Sequence, residues 1–355
     1  MNTPPPTQSP RPAVRVRRSG RRALILRLIV LAVAAVSLYY LWPQLIEIFG
    51  ALPGLSGIRW FWFAFMIVLE VASFACYWGL MRIALDERRW GIVALAQLAS
   101  TAFSRVVPGG TASGGAVTYR MFAAAGLPRG RVATGVTATT LLSTAVLFCL
   151  PVFSLPAIIG GAAIDRTLLH GLEFGLAIAA LIVAGGTIAL FTDRPVAWVG
   201  RSVARVRLRL RAGGRQPDAL AARLLEERDI IKNALGSRWW QALPLAAGGW
   251  LFDFATLLAA LAALGAQVRP SLALLAYVVA ALLAVIPLTP GGLGFVEVGL
   301  AAMLGLAGVG AAEATTAVLA YRLVSFWMPI PTGLIATLVF RWRYERRPRR
   351  AHVRS

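Results

Sequence analysis

Six charged side chains fall within long apolar stretches of the chain, and these are the residues whose chemistry stands out. Three are basic and three are acidic: Arg105, Arg120 and Arg322, and Glu70, Asp253 and Glu297. A charge at the centre of a membrane helix costs about 2.5–3.5 kcal/mol, so unpaired charges are rare there. Such groups either pair to hold helices together or bind a charged substrate. For Glu70 and Asp253 both roles stay open, and Arg120 could instead extend to the membrane surface.

Two Pro-Gly-Gly turns interrupt the apolar stretches, Pro108-Gly109-Gly110 and Pro290-Gly291-Gly292. Proline lacks a backbone N–H and disfavours helix in the residue before it, so neither stretch is expected to form one continuous helix. When the two turns are aligned, Ala125-Gly126 falls on Ala307-Gly308, which indicates an internal repeat. Repeats that flank broken membrane helices are typical of a transporter site near the middle of the bilayer.

A new half-helix is expected after each turn, with its N-terminus near mid-membrane. Helix N-termini favour anions, phosphate especially, because their free N–H groups and their dipole point at the ligand. Arg105 and Arg322 are expected nearby and would hold a phosphate-bearing head group. Glu297 either complements the helix dipole, binds a cationic head group or takes up a proton. The candidate substrate-binding residues are Arg105, Pro108, Gly109, Gly110, Ser113, Arg120, Asp253, Pro290, Gly291, Gly292, Gly294, Glu297, Tyr321 and Arg322.

The composition indicates a polytopic membrane protein. Apolar residues make up 58% of the 355 residues and charged residues 14%, and the mean hydropathy is +0.70. The formal charge of +21 lies mainly between apolar segments, which follows the positive-inside rule and does not indicate nucleic-acid binding. No catalytic triad, phosphate loop or cluster of metal ligands occurs in the sequence. We therefore expect no enzyme, no metal and no cofactor.

The predicted fold is an all-α polytopic membrane protein with about six transmembrane helices and two re-entrant helical hairpins in an inverted repeat. A disordered basic arm (1–22) precedes a transmembrane domain (23–340), and a basic tail (341–355) follows it. The repeat halves cover about 92–160 and 271–340, and a basic cytoplasmic loop covers 193–238. The predicted spans are approximately Ala23–Trp42, Trp60–Arg82, Val132–Ile159, Leu172–Thr192, Trp239–Leu264 and Ala314–Phe340, with the hairpins at 92–125 and 271–306.

The placement of basic residues predicts the topology. With both termini in the cytoplasm and both broken segments re-entrant, 30 of the 36 basic residues lie inside, and Arg59, Arg166 and Arg269 lie outside. A hairpin that crossed the membrane would move every downstream loop to the other side and remove this bias. The first hairpin then enters from the cytoplasm and the second from the outer face, so the two repeats are predicted to be inverted.

The motif Pro290-Gly291-Gly292-Leu293-Gly294-x-x-Glu297, followed by Tyr321-Arg322 and Trp327-x-Pro329-x-x-x-Gly333, resembles the signature of the lysylphosphatidylglycerol synthase transmembrane (flippase-like) family. Ser104-Arg105 and Pro108-Gly109-Gly110 resemble that family's first motif, and the resemblance covers roughly residues 25–340. It implies a lipid flippase-like module similar to the flippase half of the multiple peptide resistance factor. Only a short tail follows residue 340, so synthesis of the lysyl lipid is not expected here.

We therefore expect a translocase in the inner (cytoplasmic) membrane that moves a phospholipid or related amphiphile between leaflets. The expected partners are membrane lipids: anionic or aminoacylated phospholipid, or a polyprenyl- or hopanoid-type amphiphile. A second copy of the chain or a lipid-modifying enzyme is a further candidate partner, and nucleic acid is not. Two alternatives stay open. One is a non-transporting scaffold that holds a glycosyltransferase or lipid-modifying enzyme through the loop 193–238, and the other is a coupled transporter of a small anion.

Overall fold

The computed structural model describes residues 59–107, 110–154, 238–285 and 290–345, together with single helical positions between 170 and 185. Four helical segments are long and apolar enough to cross a membrane: Trp60–Leu85, Arg129–Phe153, Trp239–Ala263 and Ala311–Tyr344. They correspond to the second, third, fifth and sixth predicted spans. Within the described residues the chain is helical and contains no strand, so the prediction of an all-α membrane protein is confirmed.

Several predicted segments lie outside the described residues. These are the basic arm, the first span, nearly all of the loop 193–238 and the tail beyond residue 345. Of the predicted fourth span, only scattered positions are described, and these are helical.

The described residues form nine α-helices, which we number in chain order. They are α1 (Trp60–Leu85), α2 (Trp90–Val106), α3 (Gly110–Ala124), α4 (Arg129–Cys149), α5 (Trp239–Ala263), α6 (Pro270–Val285), α7 (Phe295–Leu306), α8 (Ala311–Arg322) and α9 (Pro329–Phe340). A 3₁₀ turn, Leu150–Ser154, continues α4. A π-helical turn, Leu323–Trp327, joins α8 to α9, and a second one, Arg341–Glu345, follows α9.

Both broken segments fold as two short helices, which we name the first helix pair (α2–α3) and the second helix pair (α6–α7). Helix α2 ends because Val107, which precedes Pro108, has an extended backbone with φ −95° and ψ 131°. The two helices of the first pair then pack antiparallel, with Ser100 Oγ donating to the Gly114 carbonyl at 2.8 Å. Between α6 and α7, positive φ angles that favour glycine occur at Gly291 (62°), Gly292 (74°) and Gly294 (80°).

The internal repeat of the sequence is also a repeat of local structure. When the two Pro-Gly-Gly turns are aligned, α3 and α7 end at equivalent residues, and α4 and α8 begin at equivalent residues. The equivalent glycines that follow α3 and α7, Gly126 and Gly308, both have positive φ, 89° and 94°. The same two backbone hydrogen bonds form at both helix ends. They are the hydrogen bonds of a Schellman cap.

Helices α1 and α5 pack against each other and run antiparallel. Ser73 Oγ donates to the Gly249 carbonyl oxygen at 2.8 Å. Further along α1, Gly79 packs against Leu245, which comes earlier in α5. The two C-terminal ends of these helices therefore lie at opposite ends of the interface.

Helix α4 is also antiparallel to α1. Gly135, in the first half of α4, lies against Leu85, the last residue of α1. Further along α4, Thr139 Oγ1 donates to Met81 Sδ at 3.7 Å. The chain therefore leaves α1 and enters α4 at the same end, with the first helix pair between the two.

Each helix pair packs on a membrane helix of the other repeat. Helix α2 lies along α9, and α6 lies against the 3₁₀ turn that continues α4. At the α2–α9 contact, Gly333 lies against the backbone carbonyl of Leu98, and a Cβ on Gly333 would be 2.5 Å from Ala102 Cβ. This close approach explains the glycine at position 333 by packing, because any side chain there would meet the backbone of α2.

We expect Gly333→Ala to destabilise the protein, because its methyl group would enter the space of Leu98 and Ala102. Overpacking of this kind typically costs about 1–3 kcal/mol. The matched control is Gly130→Ala in α4, where a Cβ would meet nothing within 4 Å and where the higher helix propensity of alanine gives a neutral or stabilising effect. Thermal unfolding of the full chain in detergent measures both variants. Equal unfolding temperatures for the two would contradict the packing argument.

Candidate functional site

The ring and the carbonyl group of Phe326 contact two arginines from distant parts of the chain. Arg105, near the end of α2, donates from Nη1 to the Phe326 carbonyl oxygen at 2.6 Å, and its guanidinium carbon lies 5.2 Å from the ring centroid. The guanidinium carbon of Arg322 lies 5.0 Å from the same centroid. Both distances allow cation–π attraction. Phe326 therefore helps to hold two like charges close together.

The position of Phe326 follows from the π-helical turn Leu323–Trp327. Pro329 comes just after this turn and has no backbone N–H, so the regular ladder of α-helical hydrogen bonds cannot continue through it. The helix widens instead, and the Met328 N–H donates to the Leu323 carbonyl at 3.1 Å. Widened turns of this kind are frequent at functional sites. Here the turn directs the carbonyl group of Phe326 at the end of α2.

The second Pro-Gly-Gly turn packs against the same aromatic ring. A Cβ on Gly291 would lie 2.5 Å from Phe326 Cε2 and 3.1 Å from the carbonyl oxygen of Arg105. Only a residue without a side chain fits this contact, and the φ of 62° at Gly291 also favours glycine. The break in the second helix pair therefore touches the end of α2, where the first helix pair turns.

Glu297 and Arg322 form an ion pair beside this contact. Glu297 lies in the first turn of α7, and its Oε1 is 2.8 Å from Arg322 Nε, with side chains 13% and 11% exposed. The contact lacks hydrogen-bond geometry, and Glu297 Oε2 and Arg322 Nη2 are buried with no hydrogen-bond partner among the described residues. Buried polar atoms of this kind cost about 1–3 kcal/mol each when unsatisfied, and more when charged. The pair therefore has unused capacity to bind a charged ligand.

Asp253 joins three helices through one oxygen atom. Its Oδ2 accepts a hydrogen bond from the Tyr321 hydroxyl at 2.8 Å and another from the Tyr277 hydroxyl. Tyr321 belongs to α8 and Tyr277 to α6, whereas Asp253 lies in α5. This oxygen therefore ties the second helix pair to two membrane helices next to Arg322.

Glu70 faces Asp253 across the α1–α5 interface. It is 3% exposed, and its carboxyl group interacts electrostatically with the Asp253 carboxyl group and with the Arg105 guanidinium. These three side chains line one cavity of about 280 Å³. The other polar side chains that line it are Ser73, Tyr77, Thr101, Ser143 and Trp250.

The structure brings together many of the residues singled out from the sequence. Those that meet around Phe326 and Asp253 are Arg105, Asp253, Gly291, Glu297, Tyr321 and Arg322. The adjoining turn contains Pro290, Gly292 and Gly294. Gly110 begins α3 and Ser113 lies in its first turn, while Pro108 and Gly109 lie outside the described residues.

Sequence reasoning did not single out Phe326 or Tyr277. Aromatic residues are common in apolar segments, so neither residue type distinguishes a site. A usable signal was present for Phe326, because it lies four residues after Arg322 and so shares a helix face with it. Glu70 was recognised as a charge within an apolar segment, but only the fold shows that its neighbour is Asp253.

Arg120 lies apart from the other candidate residues, at a second cavity of about 910 Å³. We name this space the basic cavity, because Arg129 at the start of α4 and Arg341 after α9 line it as well. Its other lining residues are Ala99, Phe103, Val117, Tyr119, Met121, Ala123, Ala124, Thr337 and Phe340, most of them apolar. Three guanidinium groups beside an apolar wall are suited to an anionic head group with hydrocarbon tails.

The chain matches a family model described as the lysylphosphatidylglycerol synthase TM region over residues 25–333. The match includes both helix pairs and the π-helical turn, and thus Arg105, Phe326 and the Glu297–Arg322 ion pair. No curated protein matches the chain.

We expect Gly291→Ala to disrupt the contact between the second turn, Phe326 and Arg105. The matched control is Gly265→Ala, because Gly265 also has a positive φ (71°) but a Cβ there would meet nothing within 4 Å. Both variants pay the left-handed backbone cost of roughly 1–2 kcal/mol. Only Gly291→Ala adds a steric clash, about 1–3 kcal/mol more. Thermal unfolding in detergent checks this, and equal losses of stability would show that the Phe326 contact does not constrain the turn.

Proposed function

The chain belongs to the lysylphosphatidylglycerol synthase TM family, and from this premise we propose that it is a flippase-like lipid translocase. The family places it among membrane proteins related to lipid modification or flipping. In our proposal the chain acts in the inner (cytoplasmic) membrane with both termini in the cytoplasm. It moves a phospholipid or related amphiphile between leaflets and makes no covalent change to it. The two helix pairs serve as re-entrant hairpins.

The short helices support the re-entrant arrangement. The four helices of the two pairs contain 17, 15, 16 and 12 residues, or roughly 18–26 Å at 1.5 Å per residue. The hydrocarbon core of a bilayer is about 30 Å thick, so none of these helices is long enough to cross it unless the bilayer thins. In addition, the end of α1 lies beside the beginning of α4. The first helix pair connects these two points, so it starts and finishes on the same side.

The antiparallel packing of α1 and α5 supports the inversion of the two repeats. The first helix pair follows the C-terminal end of α1, and the second follows the C-terminal end of α5. Since these two ends lie at opposite ends of the α1–α5 interface, the helix pairs enter from opposite faces. A site reached from both faces in turn is what alternating access requires.

The observation that carries the proposal is the contact of Gly291 with Phe326 and with the carbonyl of Arg105. It brings the second turn next to the end of α2, together with two guanidinium groups. Arg105 and Arg322 would hold a phosphate, which guanidinium groups bind with two parallel hydrogen bonds. The Glu297 carboxylate would contact a cationic group of the same lipid.

The charges of this site indicate the kind of head group. Arg322 Nη2 and Glu297 Oε2 lack hydrogen-bond partners among the described residues, so the ion pair holds a donor and an acceptor that are both still available. A head group that carries both phosphate and amine would satisfy both, as in an aminoacylated or zwitterionic phospholipid. A simple anion would satisfy only the arginine.

The basic cavity is our proposed docking place for the head group before it reaches the centre. In the predicted topology Arg129 and Arg341 lie at the cytoplasmic surface, where anionic lipids attract basic residues. The cavity lies against α2 and α3, so a lipid held there is next to the first helix pair.

We expect Arg105→Gln and Glu297→Gln each to slow lipid translocation by roughly tenfold or more, because each removes a charged hydrogen-bond partner of the head group. The matched controls are Arg238→Gln and Glu313→Gln, which change exposed charges. The assay uses the full chain in vesicles that contain fluorescent phosphatidylethanolamine or phosphatidylglycerol, and it follows protection of the inner-leaflet dye from a membrane-impermeant reductant.

Wild-type rates for both site variants would overturn the assignment of the head group to this site. Wild-type vesicles that move no lipid but take up inorganic phosphate would instead favour transport of a small anion.

We expect the double variant Arg120→Gln/Arg129→Gln to need a severalfold higher fraction of phosphatidylglycerol for half-maximal translocation, because each arginine at the surface attracts anionic lipid. The matched control is the double variant Arg88→Gln/Arg131→Gln, which also removes two exposed charges, neither of which lines the basic cavity. The same vesicles with graded phosphatidylglycerol content give this measurement. An equal shift in the control would show that only the surface charge matters and that the cavity has no special role.

A further inference from the structure

The charges buried within the described helices do not balance. The central region contains two basic residues, Arg105 and Arg322, and three acidic ones, Glu70, Asp253 and Glu297. The sixth charge of the apolar segments, Arg120, is exposed and lines the basic cavity. We propose that Glu70 and Asp253 form a proton-binding site that holds one proton, and that this proton is coupled to lipid translocation. The coupling rests on the proposed function, whereas the proton site does not.

The placement of the two acids favours one proton for the pair. Glu70 in α1 and Asp253 in α5 line the same cavity, close to the hydrogen bond between Ser73 and Gly249 that holds the two helices together. Two neighbouring carboxylates in a medium of low dielectric repel each other, and a proton on one of them relieves this repulsion. A carboxyl group can donate to a carboxylate, and the pair then carries one negative charge.

We assign the proton to Glu70, the more deeply buried of the two acids, because burial disfavours the charged form. Asp253 Oδ2 already accepts hydrogen bonds from Tyr277 and Tyr321, so that oxygen carries no proton. Glu70 is 3% exposed, and its Oε2 has no hydrogen-bond partner among the described residues. The other titratable or charged groups facing the pair are Tyr77 from α1, Arg105 from α2, Tyr277 from α6, Tyr321 from α8 and, beyond Arg105, the Glu297–Arg322 ion pair.

The cavity beside the two acids provides a route for the proton. Its volume of about 280 Å³ has room for several waters, each of which occupies about 30 Å³ in the liquid. The hydroxyl groups of Ser73, Thr101 and Ser143 line it and can bond such waters. A proton that leaves Glu70 can therefore pass to water and need not cross an apolar wall.

Arg105 connects the proton site to the lipid site. It lines the cavity with Glu70 and Asp253, and it also donates to the Phe326 carbonyl beside Arg322. When Glu70 is protonated, the nearest acid pair has one charge and Arg105 is available to a phosphate. When Glu70 loses its proton, a second carboxylate attracts Arg105 and competes with the phosphate. Protonation and phosphate binding therefore favour each other, so the lipid and the proton move together.

Infrared spectroscopy of the full chain in dodecyl maltoside, a detergent without ester carbonyls, tests the proton site without any transport assay. Wild-type protein at neutral pH should show the carbonyl stretch of a protonated carboxyl group. This band should be lost in Glu70→Gln and kept in Glu313→Gln, which removes an exposed carboxylate. A wild-type spectrum without the band, or a band that persists in both Glu70→Gln and Asp253→Asn, would overturn the proposal.

The ratio of translocation rates with and without an imposed proton gradient tests the coupling. Vesicles that contain fluorescent phosphatidylethanolamine should give a ratio severalfold above one for wild type and Glu313→Gln, and a ratio of one for Glu70→Gln. A wild-type ratio of one in protein that shows the infrared band would overturn the coupling and leave the proton as a structural one. Absence of any lipid movement would overturn the proposed function and, with it, the coupling, while the spectrum still decides the proton site.

Discussion

The contact between Arg105 and Phe326 joins the two repeats of the protein. The arginine comes from the first helix pair, and the phenylalanine lies within the membrane segment Ala311–Tyr344 of the second repeat, yet a 2.6 Å hydrogen bond connects them. The Phe326 ring is also the surface against which Gly291 turns and over which Arg322 lies. The position of one backbone carbonyl and one ring therefore determines where the second turn, the end of α2 and two charges meet. The regular α-helix could not supply that carbonyl, and the π-helical turn before Pro329 does.

The second constraint is the cost of charge in an apolar medium. Each central charge has a partner: Arg105 bonds the Phe326 carbonyl, Asp253 accepts from Tyr321, and Glu297 and Arg322 pair with each other. The oxygens of Glu297 nevertheless have no hydrogen-bond partner among the described residues. A protein that needed these charges only for stability could use apolar residues of similar volume at less cost. The retained charges and the unsatisfied atoms beside them therefore favour binding over packing as their purpose. Arg105 belongs to both the proposed lipid site and the proposed proton site.

Several features of the fold follow from local sequence. Membrane spans such as Trp60–Leu85 and Trp239–Ala263 can be recognised in the sequence, because an apolar run of this length is stable in few environments other than a membrane. The two breaks follow from proline and glycine chemistry, and the repeat follows from the alignment of the two Pro-Gly-Gly turns. The role of Gly333 did not follow, because the residue that it must accommodate, Leu98, is more than two hundred positions away in the chain. Likewise Pro329 predicts a disturbance of the helix, but the local sequence does not show that it takes the form of a π-helical turn whose carbonyl meets Arg105.

The sequence by itself determined that this is an all-α membrane protein of one family, that its apolar segments break twice, and which charges lie within them. These properties depend on hydropathy, backbone geometry and short motifs, all of which act over a few neighbouring residues. Only the tertiary structure decided what each charge contacts: Arg105 contacts the Phe326 carbonyl, Glu297 contacts Arg322, and Glu70 shares a cavity with Asp253. It also separated Arg120 from the others and assigned it to the basic cavity. The physical reason is that electrostatic and aromatic contacts depend on distances in space, which the packing of antiparallel helices sets and which no local pattern encodes.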